Sequence, residues 1–496
     1  MGVEGLVRGL AGVGMRDGGG SARGAEAEAE AEAGGQGWER AEERWWVALV
    51  YVLGQPSEER RRAAWEAVAE RAEMSGAGLE LGLEWADVEA RVRAAEGLAG
   101  LVMLGAASGV GGEVRVWTGD EVVEALERGG VVDLGGREVV LPRGVTVVGR
   151  GVEATVRDGT VQMPPIRAGA SEMEHFALAV AVKAKLRLEG VRVVGSGIAC
   201  AKRGHVTLVD THVSEAIKGG LVVSDHGSKG FIQGGRIVGV KESHGVGCRD
   251  GAHVELRGVD IAECKQCGLV VIGKGSKAVV QRGRIAGSQD FHGVICREGG
   301  QAELRGGTVA SCKQSGVAVV DKGSKLVVEG GRIEGPQVDH GVACQAGGQA
   351  ELRDVEIADC KKCGLLVSGN GSDVIVQGGR IVGSRIDHGV FCQDGGQVEL
   401  RDVEVTDCKK CGVVAAEKGS KVVVQGGRIA GSQWGPGVAC RDGGQAELRD
   451  VEVAAACNKC GLLIMGKGSQ VAMQGGRIVG CQVDHGVDCQ GGGMWR

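Results

Sequence analysis

Aromatic side chains are scarce in this sequence: one Tyr, four Phe and eight Trp in 496 residues. From residue 188 onward only Phe231, Phe291, Phe391, Trp434 and Trp495 occur, and they form no periodic column. Stacked aromatic platforms for sugar rings are therefore missing. Positive charge is not in surplus either. With 58 Lys and Arg against 64 Asp and Glu, the net charge is -6, so nucleic acid is not expected as a partner. No segment has the ~20 uninterrupted apolar residues of a membrane helix. The first twenty residues, MGVEGLVRGLAGVGMRDGGG, lack a continuous apolar stretch, and Leu6 stands where a myristoylation signal needs Ser or Thr. These absences make a cytoplasmic or nuclear protein the expectation. In that setting 17 cysteines read as reduced thiols or metal ligands rather than as a disulfide framework.

What is abundant is glycine, 93 residues against six prolines, the balance of a chain that turns often. Residues 1–36 hold GGG and the alternating AEAEAEAEA, which offer little to bury and predict disorder. From Trp38 to about residue 105, WERAEERWWVALVYVLG, SEERRRAAWEAVAERAEM and EWADVEARVRAAEGLAGLVML space their apolar residues as helices do. A small helical region is expected there. Thr118-Gly119-Asp120-Glu121 then fits a capping box, with a short amphipathic helix over 119–128. Beyond it only short Val-rich strands follow, so residues 115–496 are expected to be all β.

The strands become periodic from about residue 188. HGVxC begins at His244, His292, His340 and His388, in steps of 48, and returns as PGVAC at Pro436 and HGVDC at His485. Each 48 contains a second, weaker copy, since CGLLVSGNGSDVIVQGGRIVGS aligns with HGVACQAGGQAELRDVEIADC. The unit is thus about 24 residues, in two alternating versions. Three short strands and three turns in that length make one coil of a parallel β-helix, stacked at ~4.8 Å per coil. Parallel crossovers of this kind are right-handed.

Residues 24 apart should then be neighbours. One column runs Arg236, Asp260, Arg284, Thr308, Arg332, Glu356, Arg380, Glu404, Arg428, Glu452, Arg477, alternating in sign except at Thr308. A second, in a turn, runs Asp339, Lys362, Asp387, Lys410, Gly435, Lys459, Asp484. Pairing of opposite charges between coils explains why the true period is doubled. Small and β-branched residues such as Val342, Leu365, Ala350, Leu352, Ile357 and Ile381 fill the interior. Eleven coils are counted from the first column, with Arg192 and His212 adding two.

The cysteines form three columns. Cys248, Cys296, Cys344, Cys392, Cys440 and Cys489 alternate with Val271 and Val367 and are expected to pack inward. The CxxC pairs are Cys264/Cys267, Cys360/Cys363, Cys408/Cys411 and Cys457/Cys460, with Cys312/Ser315 as a broken copy. The second cysteine of each shares a column with a histidine, which makes Cys360, Cys363, His388, Cys408 and Cys411 candidate zinc ligands. Lys361 and Lys362 next to the thiols would favour a reactive thiolate. Against both, Ser315 and Pro436 replace a Cys and a His while the repeat continues, and no fourth ligand is evident. A turn residue copied with its repeat is the favoured reading, with no cofactor.

From about residue 115 to 489 the chain resembles the right-handed parallel β-helix, pectate-lyase-like superfamily, on its coil length, its Gly-Val and GGRI segments and the helix at 119–128. That resemblance implies a polysaccharide lyase, a glycoside hydrolase, a carbohydrate-binding protein, or a repeat module like those of some F-box adaptors. Enzymes of the superfamily set carboxylates or a calcium site on an outward strand face, with an Arg, Lys or His nearby. No NTD triplet, GHG or RIK is present; SDHGSKG at 224–230 and DHG at 339–341 and 387–389 come nearest. Asp339 and Asp387, two coils and ~9.6 Å apart, approach an inverting pair. Because that pair is copied with the repeat, no catalytic residue is assigned. The expected function is a non-catalytic scaffold for a protein partner, with residues 38–105 as a second contact. The final GGGMWR predicts an uncapped last coil that pairs end to end in a homo-oligomer, or a truncated sequence.

Overall fold

A computed structural model describes residues 116–163, 176–430, 432–454, 460–479 and 486–496. The segments expected to be disordered (1–36) and helical (38–105) lie outside the described residues, as do Cys457, Lys459, Asp484 and His485.

The described chain opens with helix α1, Gly119–Glu127. Thr118 caps it: the Thr118 Oγ1 accepts the Glu121 N–H at 3.3 Å, and the Glu121 carboxylate accepts the Thr118 N–H at 2.9 Å. Two of the four amides left free at a helix start are thereby satisfied. The buried side chains of α1, Val122, Val123 and Leu126, join the same core as Val132, Leu134 and Val145 of the first coils.

Every described element after α1 is a parallel strand, with turns between. A representative coil holds strands Val342–Gln345, Gln349–Arg353 and Glu356–Ala358, and the next repeats them as Leu365–Ser368, Asp373–Gln377 and Arg380–Val382. The first strand of each coil belongs to a 15-stranded sheet, and the other two build a 27-stranded sheet that bends around the rod. Between those two coils Val342 pairs with Leu365, Ala350 with Val374, and Ile357 with Ile381. The ~24-residue unit read from the sequence is therefore the coil. Alternate residues point inward, where Cys344, Leu352, Leu365 and Val367 are 0% exposed.

Opposite charges pair between coils in both predicted columns, over part of their length. Asp260 lies between Arg236 at 3.0 Å and Arg284 at 3.5 Å, and Glu356 between Arg332 at 3.3 Å and Arg380 at 3.2 Å. In the turn column Lys362 reaches Asp339 at 2.7 Å and Lys410 reaches Asp387 at 3.0 Å.

A third column doubles the period from inside a turn. Ser228, Ser276, Ser324, Ser372, Ser420 and Ser469 are fully buried and alternate with Ala252, Gly300, Gly348, Gly396 and Gly444. Ser372 Oγ accepts the Gly347 N–H of the preceding coil at 2.9 Å and donates to the Ser368 carbonyl at 2.7 Å. Ser276 and Ser469 repeat both bonds. Each serine thus staples its coil to the one before. Replacing Ser372 by Ala strands a buried amide and should cost about 1–3 kcal/mol, read as a lower urea midpoint with unchanged m-value.

Candidate functional site

The first cysteines of the CxxC pairs are core residues rather than turn residues. Cys264, Cys312, Cys360 and Cys408 are at most 1% exposed and belong to the main apolar cluster. Their thiols lie 3.3–3.6 Å from the carbonyl two residues back. Burial pushes the Cys360 and Cys408 thiols up to about 12, and Cys363 up as well. The expectation that Lys361 and Lys362 would favour thiolates is corrected, because desolvation outweighs them.

The column shared by histidine and the second cysteine is real, but it is joined through the backbone. His340 Nδ1 accepts the Cys363 N–H and His388 Nδ1 accepts the Cys411 N–H, both at 3.1 Å. His292 does the same with Ser315 at 3.2 Å, which explains how serine replaces cysteine there without loss. The proton of each imidazole is thereby placed on Nε2, and the Nε2 of His388 lies 3.2 Å from Asp387 Oδ1. With both of its ring nitrogens engaged, His388 has no lone pair to offer a metal. Among the described residues, no three His, Cys, Asp or Glu side chains gather as a metal-holding group.

The third cysteine column packs inward as expected up to Cys440, and Cys200 extends it toward the N-terminus. Cys489 departs from it. It pairs only with Ile464 and is exposed, because no later strand among the described residues covers it. Alkylation of the native protein at pH 8 should therefore modify Cys489 at least tenfold faster than the other described cysteines, a ratio that peptide mass mapping reads directly.

The acidic candidates are also occupied. Asp339 and Asp387 are each held by a lysine, as above, so neither is a free acid or base. A different acidic pair was missed: Asp394 and Glu417, one coil apart, share a hydrogen bond, which holds the Asp394 carboxyl down and pushes Glu417 up. Both are exposed and sit in turns.

Concavities arise elsewhere, along the hinge between the five-residue and three-residue strands of the large sheet. The hinge residue is left-handed and is Asp or Gly in nearly every coil, as in Asp158, Gly190, Asp210, Gly234, Gly258, Gly306, Gly330 and Asp354. At Gly258, Gly306 and Gly330 an added side chain would meet open space, whereas at Gly190, Gly234, Gly378 and Gly426 it would meet the aspartate of the coil before. Near the start of the rod, Asp158, Asp210, Thr160, Arg192 and His212 line an open hollow of about 430 Å³. Further on, Arg257, Gln281, Arg282 and Arg305 line another of about 580 Å³. Neither announces itself in the sequence, since both depend on glycines that leave space unfilled.

The family description "Right handed beta helix region" matches residues 196–337, 288–429 and 337–483, together more than half of the chain. The chain belongs to the right-handed β-helix family. No curated protein matches it. Among solved structures, the periplasmic alginate epimerase AlgG is similar at 10% identity and a TM-score of 0.36, over 73% of this chain and 74% of that one. The A-module of the Azotobacter vinelandii mannuronan C-5 epimerase AlgE6 is similar at 12% identity and 0.25, over 75% and 99%. A TibC-catalysed hyper-glycosylated TibA fragment is similar at 10% and 0.20, over 73% and 99%. None of these three similarities carries an argument about activity.

Proposed function

We propose that this β-helix is a non-catalytic scaffold whose charge-patterned face binds a protein partner. The observation that supports the reading is the mating of acids with bases between coils: Asp260, Glu356 and Glu452 each lie between two arginines. Carboxylates so held are poor proton donors or acceptors for chemistry, yet a fixed pattern of charge selects partners and sets register. The 15 described cysteines are all free thiols, which suits a reducing compartment. Residues 38–105 would supply a second contact. A photo-crosslinking residue at Val327, on the outward face, should capture one defined protein, and Arg353→Glu should reduce that capture. Release of new ends or unsaturated products from a uronate polymer by the purified chain would overturn the reading.

One observation favours a second reading, a polysaccharide-active or carbohydrate-binding protein. The hollow at Asp158, Arg192, Asp210 and His212 brings two carboxylates, a guanidinium and an imidazole to one outward face. If it acts on a glycan, Asp210→Asn and His212→Gln should each abolish turnover; if the parent chain neither turns over nor binds a glycan, this reading falls.

A further inference from the structure

The repeat is regular enough for its departures to be informative, and several of them fall together. At the hinge, Gly234, Gly330, Gly378, Gly426 and Gly475 occupy corresponding places in steps of 48 or 49 residues, with one double step from Gly234 to Gly330, and φ between 65° and 71°. Arg282 stands in that series at φ 53°. An arginine adopts the left-handed conformation at a cost that glycine avoids. One coil later, Gly307 and Thr308 replace the valine and carboxylate that the series sets as Val259 and Asp260, or Val355 and Glu356. Another coil on, Glu329 replaces the glutamine found at Gln281, Gln377 and Gln425. All four departures lie within three successive coils of one face.

Their joint effect is electrostatic. The loss of the carboxylate at Thr308 removes the acidic partner from between Arg284 and Arg332 and Arg282 adds a cation, while Glu329 returns one carboxylate, held 2.6 Å from Arg353 and 3.7 Å from Arg305 Nε, so the balance gains one positive charge. Arg282 is exposed, and its guanidinium makes no hydrogen bond or ion pair among the described residues. Its hinge neighbours Gly258 and Gly306 have open space where a side chain would begin. Arg257 and Arg305 flank it and are already oriented: Arg257 Nε lies 2.8 Å from Glu255, with its guanidinium 5.3 Å over the Phe231 ring, and Arg305 Nε donates to Glu303 at 2.7 Å. Two braced guanidiniums and one unpaired guanidinium thus converge on one hollow with the Gln281 amide.

We infer that Arg257, Arg282 and Arg305 form an oxyanion-binding notch that takes carboxylate side chains of an acidic peptide segment. This rests on the scaffold reading and names the chemistry of the partner. Arginine forks match a carboxylate with two parallel N–H···O bonds. A peptide fits better than an acidic glycan, because the one aromatic beside the notch, Phe231, is already covered by Arg257 and offers no sugar platform.

The test uses the full chain and a fluorescently labelled hexaglutamate peptide, followed by anisotropy. Binding should be saturable and weaken with salt. Arg282→Gly should raise Kd about tenfold, the loss of one charge-assisted contact. That variant restores the residue of the repeat, so its unfolding midpoint should not fall, and Arg282→Lys should retain part of the affinity. No binding by the parent chain, equal binding by Arg282→Gly, or displacement by a uronate oligomer at lower concentration than by unlabelled peptide would each overturn the notch. Equal crosslinking of a protein partner by Arg282→Gly would sink the notch and leave the scaffold. Arg282-dependent peptide binding with no crosslinked protein would do the reverse.

Discussion

Replacing Gly364 by Ala should destabilise the β-helix by about 3 kcal/mol, whereas Gly247→Ala should leave it unchanged or raise its stability by up to about 1 kcal/mol. The two glycines differ in what surrounds the missing side chain. At Gly364 an ideal Cβ would lie 2.3 Å from Ile381 Cγ2 and 3.0 Å from the Gly389 carbonyl oxygen. Ile381 is 1% exposed and β-branched, so it has little rotamer freedom with which to retreat, and the carbonyl belongs to the neighbouring coil. Gly245, Gly268, Gly293, Gly316, Gly341 and Gly389 meet an isoleucine or valine in the same way, at 2.3–2.5 Å. The glycine of HGV and CGL is therefore a packing requirement, set where the chain passes close over the third strand of its own coil. At Gly247 the nearest atoms, from Val222 and Val270, are 3.8 Å away, an ordinary contact with apolar neighbours. Equal urea midpoints for the two variants would show that close approach is not why the glycine recurs.

This contrast also shows where sequence reading stops. The coil length, the helix cap at Thr118 and the Arg236 to Arg477 column were legible because each is a relation between side chains at a fixed spacing. Periodicity carries such relations without coordinates. The serine staples were not legible, since a serine in a Gly-rich turn looks the same whether it faces water or the Gly347 amide. The histidine column was legible, but not the group that the imidazole bonds. His388 and Cys411 are neighbours, as spacing indicated, yet the group that bonds the imidazole is a backbone N–H, which has no letter in the sequence. The hinge hollows were missed for a related reason, because they are made of absent side chains. Arg282 does have a signal in the sequence, because it interrupts the series Gly234, Gly330, Gly378, Gly426 and Gly475.

The histidine column has its largest consequence in acid. Stability should fall steeply between pH 6.5 and pH 4.5, by roughly 4 kcal/mol per pH unit in the middle of that window. His244, His340 and His388 are held down to about 4 by burial, and His292 is lowered by the same cause. In the unfolded chain these imidazoles return to ~6.5. Between the two values the unfolded state binds more protons than the folded state, so stability rises with pH and is lost as pH falls. Three imidazoles that stay neutral when folded give the slope just stated, and the carboxylates add little until pH drops below ~4.5. The structural reason is that Nδ1 of each already accepts a backbone N–H; a proton there would meet the Cys267, Cys363 or Cys411 amide head on. Urea titrations at pH 7, 6 and 5 measure the slope. His340→Asn, which can offer a carbonyl oxygen to the same amide, should reduce it by about one proton while keeping most of the stability at pH 7. A flat profile from pH 7 to 5, or a slope that His340→Asn leaves unchanged, would mean that the imidazoles are protonated in the folded rod and that the amides of the following coil are satisfied some other way.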